Sequence, residues 1–252
     1  MNRITFLCLF LFLFASSPIW GQEQKLRFEF SMVQIDSTYQ IALPTKTAQL
    51  MEYYRPEMER RMMEVVGYAP QEMRSFRPQS PLSNFAADAL LIMAQQYIKA
   101  PVDFSITNFG GLRASFPKGE VRLYDVYAVF PFENTLVILD LEGKDVWELF
   151  QNFARRNRVE ALGNVRVEIK SGAISQLWIA GQPFDMNKSY KVATIDFLLG
   201  GGDSVSALKN AVTVQHTGVM IRDVVLQYIS MLKSEGKDVA ALIDGRIKFL
   251  DE

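Results

Sequence analysis

Residues 102–113 read Val-Asp-Phe-Ser-Ile-Thr-Asn-Phe-Gly-Gly-Leu-Arg, and the fold class follows from what this stretch connects. Val102–Thr107 is a short apolar run bounded by turn residues, the pattern of a buried strand. Asn108–Gly111 is a tight turn. Upstream lies a helix: Ser80 suits the N-cap and Pro81 the first helical position, with Leu82, Phe85, Ala89 and Met93 on one face. Downstream, Leu123–Val129 reads as a short helix, and Thr135–Leu141 alternates as a strand before a turn at Gly143. Lys144–Arg156 is amphipathic, with Val146, Leu149, Phe150 and Phe153 on one side. Further strands are predicted at residues 164–169, 174–179, 190–195 and 212–215, with a hairpin around Gly181-Gln182. Ile221, Val224, Val225, Tyr228, Ile229 and Leu232 mark a last helix. Helices and strands are interspersed without a strict βαβ rhythm. The prediction is α+β: a single mixed-sheet domain with flanking helices over residues 68–252.

Ahead of it, residues 22–67 form a separate segment. Extended structure is suggested at Leu26–Phe30 and Tyr39–Ala42, then Leu50, Tyr54, Met58, Met62 and Val65 fall at helical spacing. Pro56 is expected to bend or interrupt that helix, and residues 67–81 are expected to be loop. Residues 1–21 read as a signal peptide: Arg3, an apolar run from Ile4 to Phe14, then Ala15-Ser16-Ser17-Pro18, with cleavage after Gly21 or Ser17. The run is short of the roughly 20 residues a spanning helix needs, and Cys8 lies inside it rather than at a lipidation point. The expected destination is secreted or periplasmic, with no membrane span after cleavage.

Composition narrows the chemistry. The 252 residues are 49% hydrophobic and 12% aromatic, which excludes disorder over most of the chain. A net charge of −1 gives no basic field for nucleic acid. A single Cys forms no internal disulfide, and a single His with it cannot build a His-rich dinuclear metal centre.

Three separated segments carry a family resemblance. The first is Ser83-Asn84-Phe85-Ala86-Ala87-Asp88-Ala89, similar to a G-N-L-x-x-D-A helix with Ser83 for Gly. The second is Thr107-Asn108-Phe109-Gly110-Gly111-Leu112-Arg113, similar to N-G-G-G-I-R with Phe109 for the first Gly, followed by Val129-Phe130-Pro131-Phe132-Glu133-Asn134. The third is Tyr190-Lys191-Val192-Ala193-Thr194-Ile195-Asp196-Phe197, running on to Gly201-Gly202-Asp203. Gly245-Arg246-Ile247 also fits. In this order and at these spacings they resemble the C-terminal, substrate-specificity domain of the 5′-nucleotidase family over residues 68–250.

That resemblance implies a nucleoside or nucleotide site. Phe132 and Phe197 stand at element ends. Position alone would make them core residues, whereas the family places its base-stacking aromatics there. Stacking suits a flat, polarisable purine. The resemblance puts Asn108 and Arg113 at the nucleoside, Asp203 at the ribose diol, and Arg77, with Arg74 as competitor, towards the nucleotide. Gly110, Gly111, Gly201 and Gly202 supply turns that let backbone approach a ligand. Asn84 and Asp88, four apart on one helix face, are expected to be structural, tying the helix to the Asn108 turn.

Enzymes of the family also carry a metallophosphoesterase domain whose motifs hold two divalent metals, and none of those motifs occurs in these 252 residues. No cofactor or metal is expected in this chain, and His216 is expected to be a surface residue. The leading expectation is the specificity domain of a split 5′-nucleotidase that works with a separate metallophosphoesterase subunit. A self-sufficient hydrolase using Asp125, Glu133 or Asp196 and a non-catalytic nucleoside-binding module are the alternatives.

Overall fold

The structure is a computed structural model and describes residues 28–32 and 46–250. The signal-peptide segment and the stretch at Tyr39–Ala42 lie outside the described residues. The chain divides into two units, residues 1–49 and 50–252. In the first, residues 28–32 carry neither helix nor strand, and Phe28, Phe30 and Met32 are exposed.

Helix α1 (Lys46–Met62) buries none of its residues and runs through Pro56. The expected interruption is absent. On so exposed a helix, water can satisfy the carbonyl that Pro56 cannot reach. The rest, in chain order, is β1 (Val65–Ala69), α2 (Pro81–Ile98), β2 (Phe104–Thr107), β3 (Gly119–Arg122), α3 (Leu123–Val129), β4 (Thr135–Glu142) and α4 (Gly143–Arg155). There follow β5 (Ala161–Gly163), β6 (Val165–Lys170), β7 (Ala173–Ile179), β8 (Gln182–Pro183), β9 (Ser189–Ile195), α5 (Asp196–Leu199), β10 (Thr213–Met220), α6 (Ile221–Ser234) and β11 (Ile247–Leu250).

Five strands form the central sheet in the order β10-β4-β9-β2-β5. Only β2 and β9 are parallel; the other pairs are antiparallel. The sheet is mixed, as predicted, and both of its faces are covered. Phe104 and Ser105 are neighbours on β2 and so point to opposite faces. The Phe104 ring lies 6.0 Å from that of Phe150 on α4, while the Ser105 hydroxyl donates to the Ala87 carbonyl of α2 at 2.6 Å. Helices α2 and α4 therefore cover opposite faces, which is why Leu136–Leu139 of β4 and Val192–Ile195 of β9 are buried without alternation. Close approach of α2 depends on Gly163, where a Cβ would stand 2.3 Å from Ser105 Oγ and 3.0 Å from the Ala87 oxygen.

A second sheet, β11-β6-β7-β8, packs against α4 through β7, and β1 pairs with β3 in a short ribbon. That ribbon sets β1 in residues expected to be helix end and loop. At the start of α2, Ser80 is extended and its side chain accepts from the Ser83 amide, while the Ser83 hydroxyl accepts from the Ser80 amide. This capping box fixes the helix where the sequence placed it.

Candidate functional site

Three neighbouring strands of the central sheet deliver side chains to one end of it. Strand β2 ends at Thr107 and releases Asn108. Its parallel neighbour β9 ends at Ile195 and releases Asp196 and Phe197. Strand β4 is antiparallel to β9 and pairs Leu136 with Ile195, so Phe132–Asn134, which lead into β4, arrive at the same end. A crevice outside the carboxyl ends of adjacent parallel strands is where open sheets commonly bind ligands.

The cavity there has a volume of about 240 Å3 and is lined by Asn108, Gly110, Phe132, Asn134, Phe197 and Asp203. Phe132 is 48% exposed and Phe197 is 46% exposed, although most other phenylalanines of the domain are buried. Two aromatic rings left half in water at one concavity provide apolar faces that the core does not use. The base of the cavity is polar. Asn108 is buried, and its Nδ2 donates to Asp203 Oδ2 at 2.6 Å. Its Oδ1 is buried without a hydrogen-bond partner among the described residues, so acceptor capacity remains beside the rings.

Local backbone explains the arrangement. Phe109–Gly111 forms one turn of 3-10 helix, and Phe109 is not among the residues with positive φ. A side chain at that position therefore costs no left-handed strain, even though the family pattern has Gly there. A Cβ on Gly111 would stand 2.7 Å from Asn108 Oδ1, so the Asn108 side chain folds back over a residue that has none. In the second loop Gly201, Asp203 and Ser204 adopt left-handed backbone, with φ of 86°, 49° and 62°. Asp tolerates that region better than most residues. Arg156, just past α4, donates to the Asp203 carbonyl at 2.8 Å and holds the loop.

The other predicted residues go elsewhere. Arg77 does not line the cavity. Its guanidinium lies 4.3 Å from the centre of the Phe109 ring and pairs with Glu160 at 2.8 Å. Glu160 is fully buried and also accepts from the Phe109 amide at 2.9 Å. Arg77 thus braces the turn from behind. Arg113 is exposed and lines neither this cavity nor the small crevice beside it. Arg74 pairs with Glu72 on the surface.

The expected tie from Asn84 and Asp88 to the Asn108 turn needs correcting. Asn84 donates to the Leu242 carbonyl at 2.8 Å, and Asp88 takes Arg246 in a two-oxygen pair. Both hold the C-terminal segment, because their helix face turns towards it. Asn134, Arg156 and Glu160 were missed. Asn134 was visible in the quoted motif, whereas nothing local marks the other two.

The alternative acids have structural partners. Asp125 accepts from the Arg122 amide, Asp196 accepts from the Thr135 amide and hydroxyl, and Glu133 faces Arg222 at 3.6 Å. His216 is exposed on β10. Among the described residues no three His, Cys, Asp or Glu side chains converge as a metal requires, so this donor set does not fit a dimetal centre. Nor is any helix among them long and apolar enough to cross a membrane.

Comparison with known proteins follows the same lines. The sequence profile of the 5′-nucleotidase, C-terminal domain, matches residues 65–210. Protein UshA of Escherichia coli is 32% identical over 154 residues, covering 60% of this chain and 28% of that protein. The trifunctional nucleotide phosphoesterase protein YfkN of Bacillus subtilis is 28% identical over 87% of this chain and 17% of its own length. Among solved structures, the 5′-nucleotidase precursor from Thermus thermophilus superposes with a TM-score of 0.69 at 28% identity, over 82% of this chain and 43% of that one. The NAD nucleotidase of Haemophilus influenzae shares the fold, with a TM-score of 0.62 at 22% identity over 82% of this chain and 41% of its own. The chain thus spans about a quarter of the UshA protein and under half of the solved structures it matches.

Proposed function

The chain belongs to the 5′-nucleotidase C-terminal domain family, and from that premise we propose that it is the nucleoside- or nucleotide-binding specificity domain of a split 5′-nucleotidase. The observation that carries the reading is the pair of half-exposed rings, Phe132 and Phe197, lining one cavity above the Asn108–Asp203 hydrogen bond. A nucleobase lies between the rings. The Asp203 carboxylate takes the ribose hydroxyls, since an ionised carboxylate only accepts. The Asn108 carbonyl oxygen accepts a donor from the ligand.

Phosphoryl chemistry belongs, on this reading, to a metallophosphoesterase domain on a separate polypeptide, which supplies the divalent metals. Two metals would activate the attacking water and stabilise the leaving oxygen. This chain's part is to bind the nucleoside and hold the phosphate where the metals act. The pair works outside the cytoplasm, this chain being exported through a cleaved signal peptide.

Calorimetric titration with adenosine and AMP tests the binding site. Phe132→Ala and Phe197→Ala are each expected to weaken binding by about 1–3 kcal/mol, roughly five- to 150-fold, with little change in melting temperature. Unchanged affinity together with a large fall in melting temperature would make the rings core residues and remove the site. Nucleotide hydrolysis by the purified chain, with and without a co-purified metallophosphoesterase, tests the partnership. Metal-dependent turnover by the homogeneous chain, abolished by a point change within it, overturns the split arrangement.

A further inference from the structure

A larger cavity, of about 670 Å3, opens between α2, the β6–β7 hairpin and the segment after α6. It shares no lining residue with the cavity between Phe132 and Phe197. Its volume falls within the range of small-molecule sites, about 300–1,000 Å3.

Arg246 lines it, buried and fully engaged. Its Nε donates to Asp244 at 3.0 Å, one terminal nitrogen to Asp88 at 2.8 Å and the Leu162 carbonyl at 2.7 Å, and the other to Asp88 at 3.1 Å and Asp244 at 2.8 Å. Those bonds use all five N–H groups of a guanidinium, so Arg246 has no donor left for an anion. Each Asp88 oxygen keeps a lone pair, and that side chain remains 29% exposed, whereas each Asp244 oxygen already takes two Arg246 donors, the backbone amide among them. On the hairpin side, Arg166 is exposed, and its side chain makes no hydrogen bond or ion pair among the described residues. Its cross-strand partner is Trp178, half-buried on β7. Buried Leu91 and Val165 complete an apolar wall.

Asp88 and Asp244 balance Arg246 and Arg166, which leaves no net charge to attract an ion. What remains is one aromatic plane, the open lone pairs of the two Asp88 oxygens and one free guanidinium. A purine could stack on Trp178, but adenine offers Asp88 only its amino group and guanine only one edge. A polyhydroxylated ring meets every element: C–H groups on its face, donors and acceptors around its rim. We infer that this cavity is a carbohydrate site for a short neutral oligosaccharide. One pyranose face lies on Trp178, with hydroxyls donating to Asp88 and accepting from Arg166.

Saturation-transfer NMR with cellobiose and N,N′-diacetylchitobiose as probes tests this on the full chain, with adenosine titration and thermal melts in parallel. Transfer to ring C–H protons of at least one disaccharide is expected. Trp178→Ala should weaken that binding about tenfold or more and leave adenosine affinity unchanged. Absence of transfer from both disaccharides, or transfer that survives Trp178→Ala, overturns the inference. If Trp178→Ala does not fold, Arg166→Ala decides. It alters an exposed side chain, and unchanged disaccharide affinity there is equally fatal. In the unsubstituted chain, absence of disaccharide transfer with adenosine binding intact defeats this inference alone, and the converse defeats the nucleoside reading alone.

Discussion

Replacing Gly202 by Ala separates the role of Phe197 from its contribution to folding. Gly202 opens the second loop without left-handed φ, so its backbone accepts Ala. An added Cβ would stand 2.3, 2.5 and 2.6 Å from three atoms of the Phe197 ring. Comfortable carbon–carbon contact lies at about 3.5–4.0 Å, so the ring must retreat by more than an ångström. It can, because it is 46% exposed on the short helix α5. Folding should be nearly unaffected, since restricting the unfolded chain by a Gly→Ala change gives back about 0.4–1 kcal/mol. The cost falls on binding. Moving one face of the clamp should forfeit most of a stacking contact, about 1–3 kcal/mol or roughly five- to 150-fold in adenosine affinity. Calorimetric titration and thermal melts on Gly202→Ala measure both quantities. Unchanged affinity at unchanged melting temperature would show that Phe197 is not a face of the site. A fall of many degrees would show that the ring is anchored and the loop rigid.

Other outcomes follow from named contacts. Glu160→Gln removes the buried counter-charge of Arg77, so urea unfolding should show a loss of about 3–5 kcal/mol, largely recovered in Glu160→Gln/Arg77→Gln; a loss under about 1 kcal/mol would deny the brace. Gly163→Ala drives a methyl into Ser105 and Ala87, which should cost about 1–3 kcal/mol of stability with adenosine affinity intact; a neutral result would mean that α2 is free to shift. Burial would raise the Asp140 carboxyl, but hydrogen bonds from Lys191 and Thr213 outweigh it and hold the group below the ordinary aspartate range. Its stabilisation is therefore present above the ordinary aspartate pKa and lost as pH falls through the lowered one. Asp140→Asn should flatten the acid limb of stability against pH by less than about 1 kcal/mol, and a superimposable profile would refute this.

Much of the fold was written in local pattern. The Ser80-Pro81 start of α2, the apolar run ending β2 and the stripes of α4 and α6 each declare themselves within a dozen residues. Strand β5 is three residues long, β1 and β3 are short strands of a peripheral ribbon, and β11 pairs in parallel with a strand far earlier in the chain. Such elements exist because tertiary partners are waiting, and no periodicity announces them. The site divides the same way. Phe132, Phe197, Asn108 and Asp203 meet in one cavity and were visible as motif positions at element ends. Arg77 and Arg113 were judged from their neighbours in sequence. The partner that sets the direction of Arg77, Glu160, lies 83 residues away, where no spacing rule reaches.

The hydrogen bond between Asn108 and Asp203 joins loops 95 residues apart in sequence. Heritable change at this site is constrained accordingly. A substitution in either loop removes the other's partner, so single changes at the two positions should be mutually epistatic and tolerated best when they occur together. A shift in ligand preference would then pass more readily through Phe132 or Asn134, which line the same cavity from a third segment and are not party to that bond. Anyone redesigning the domain for a new base could vary that segment first and graft the two bonded loops only as a matched set.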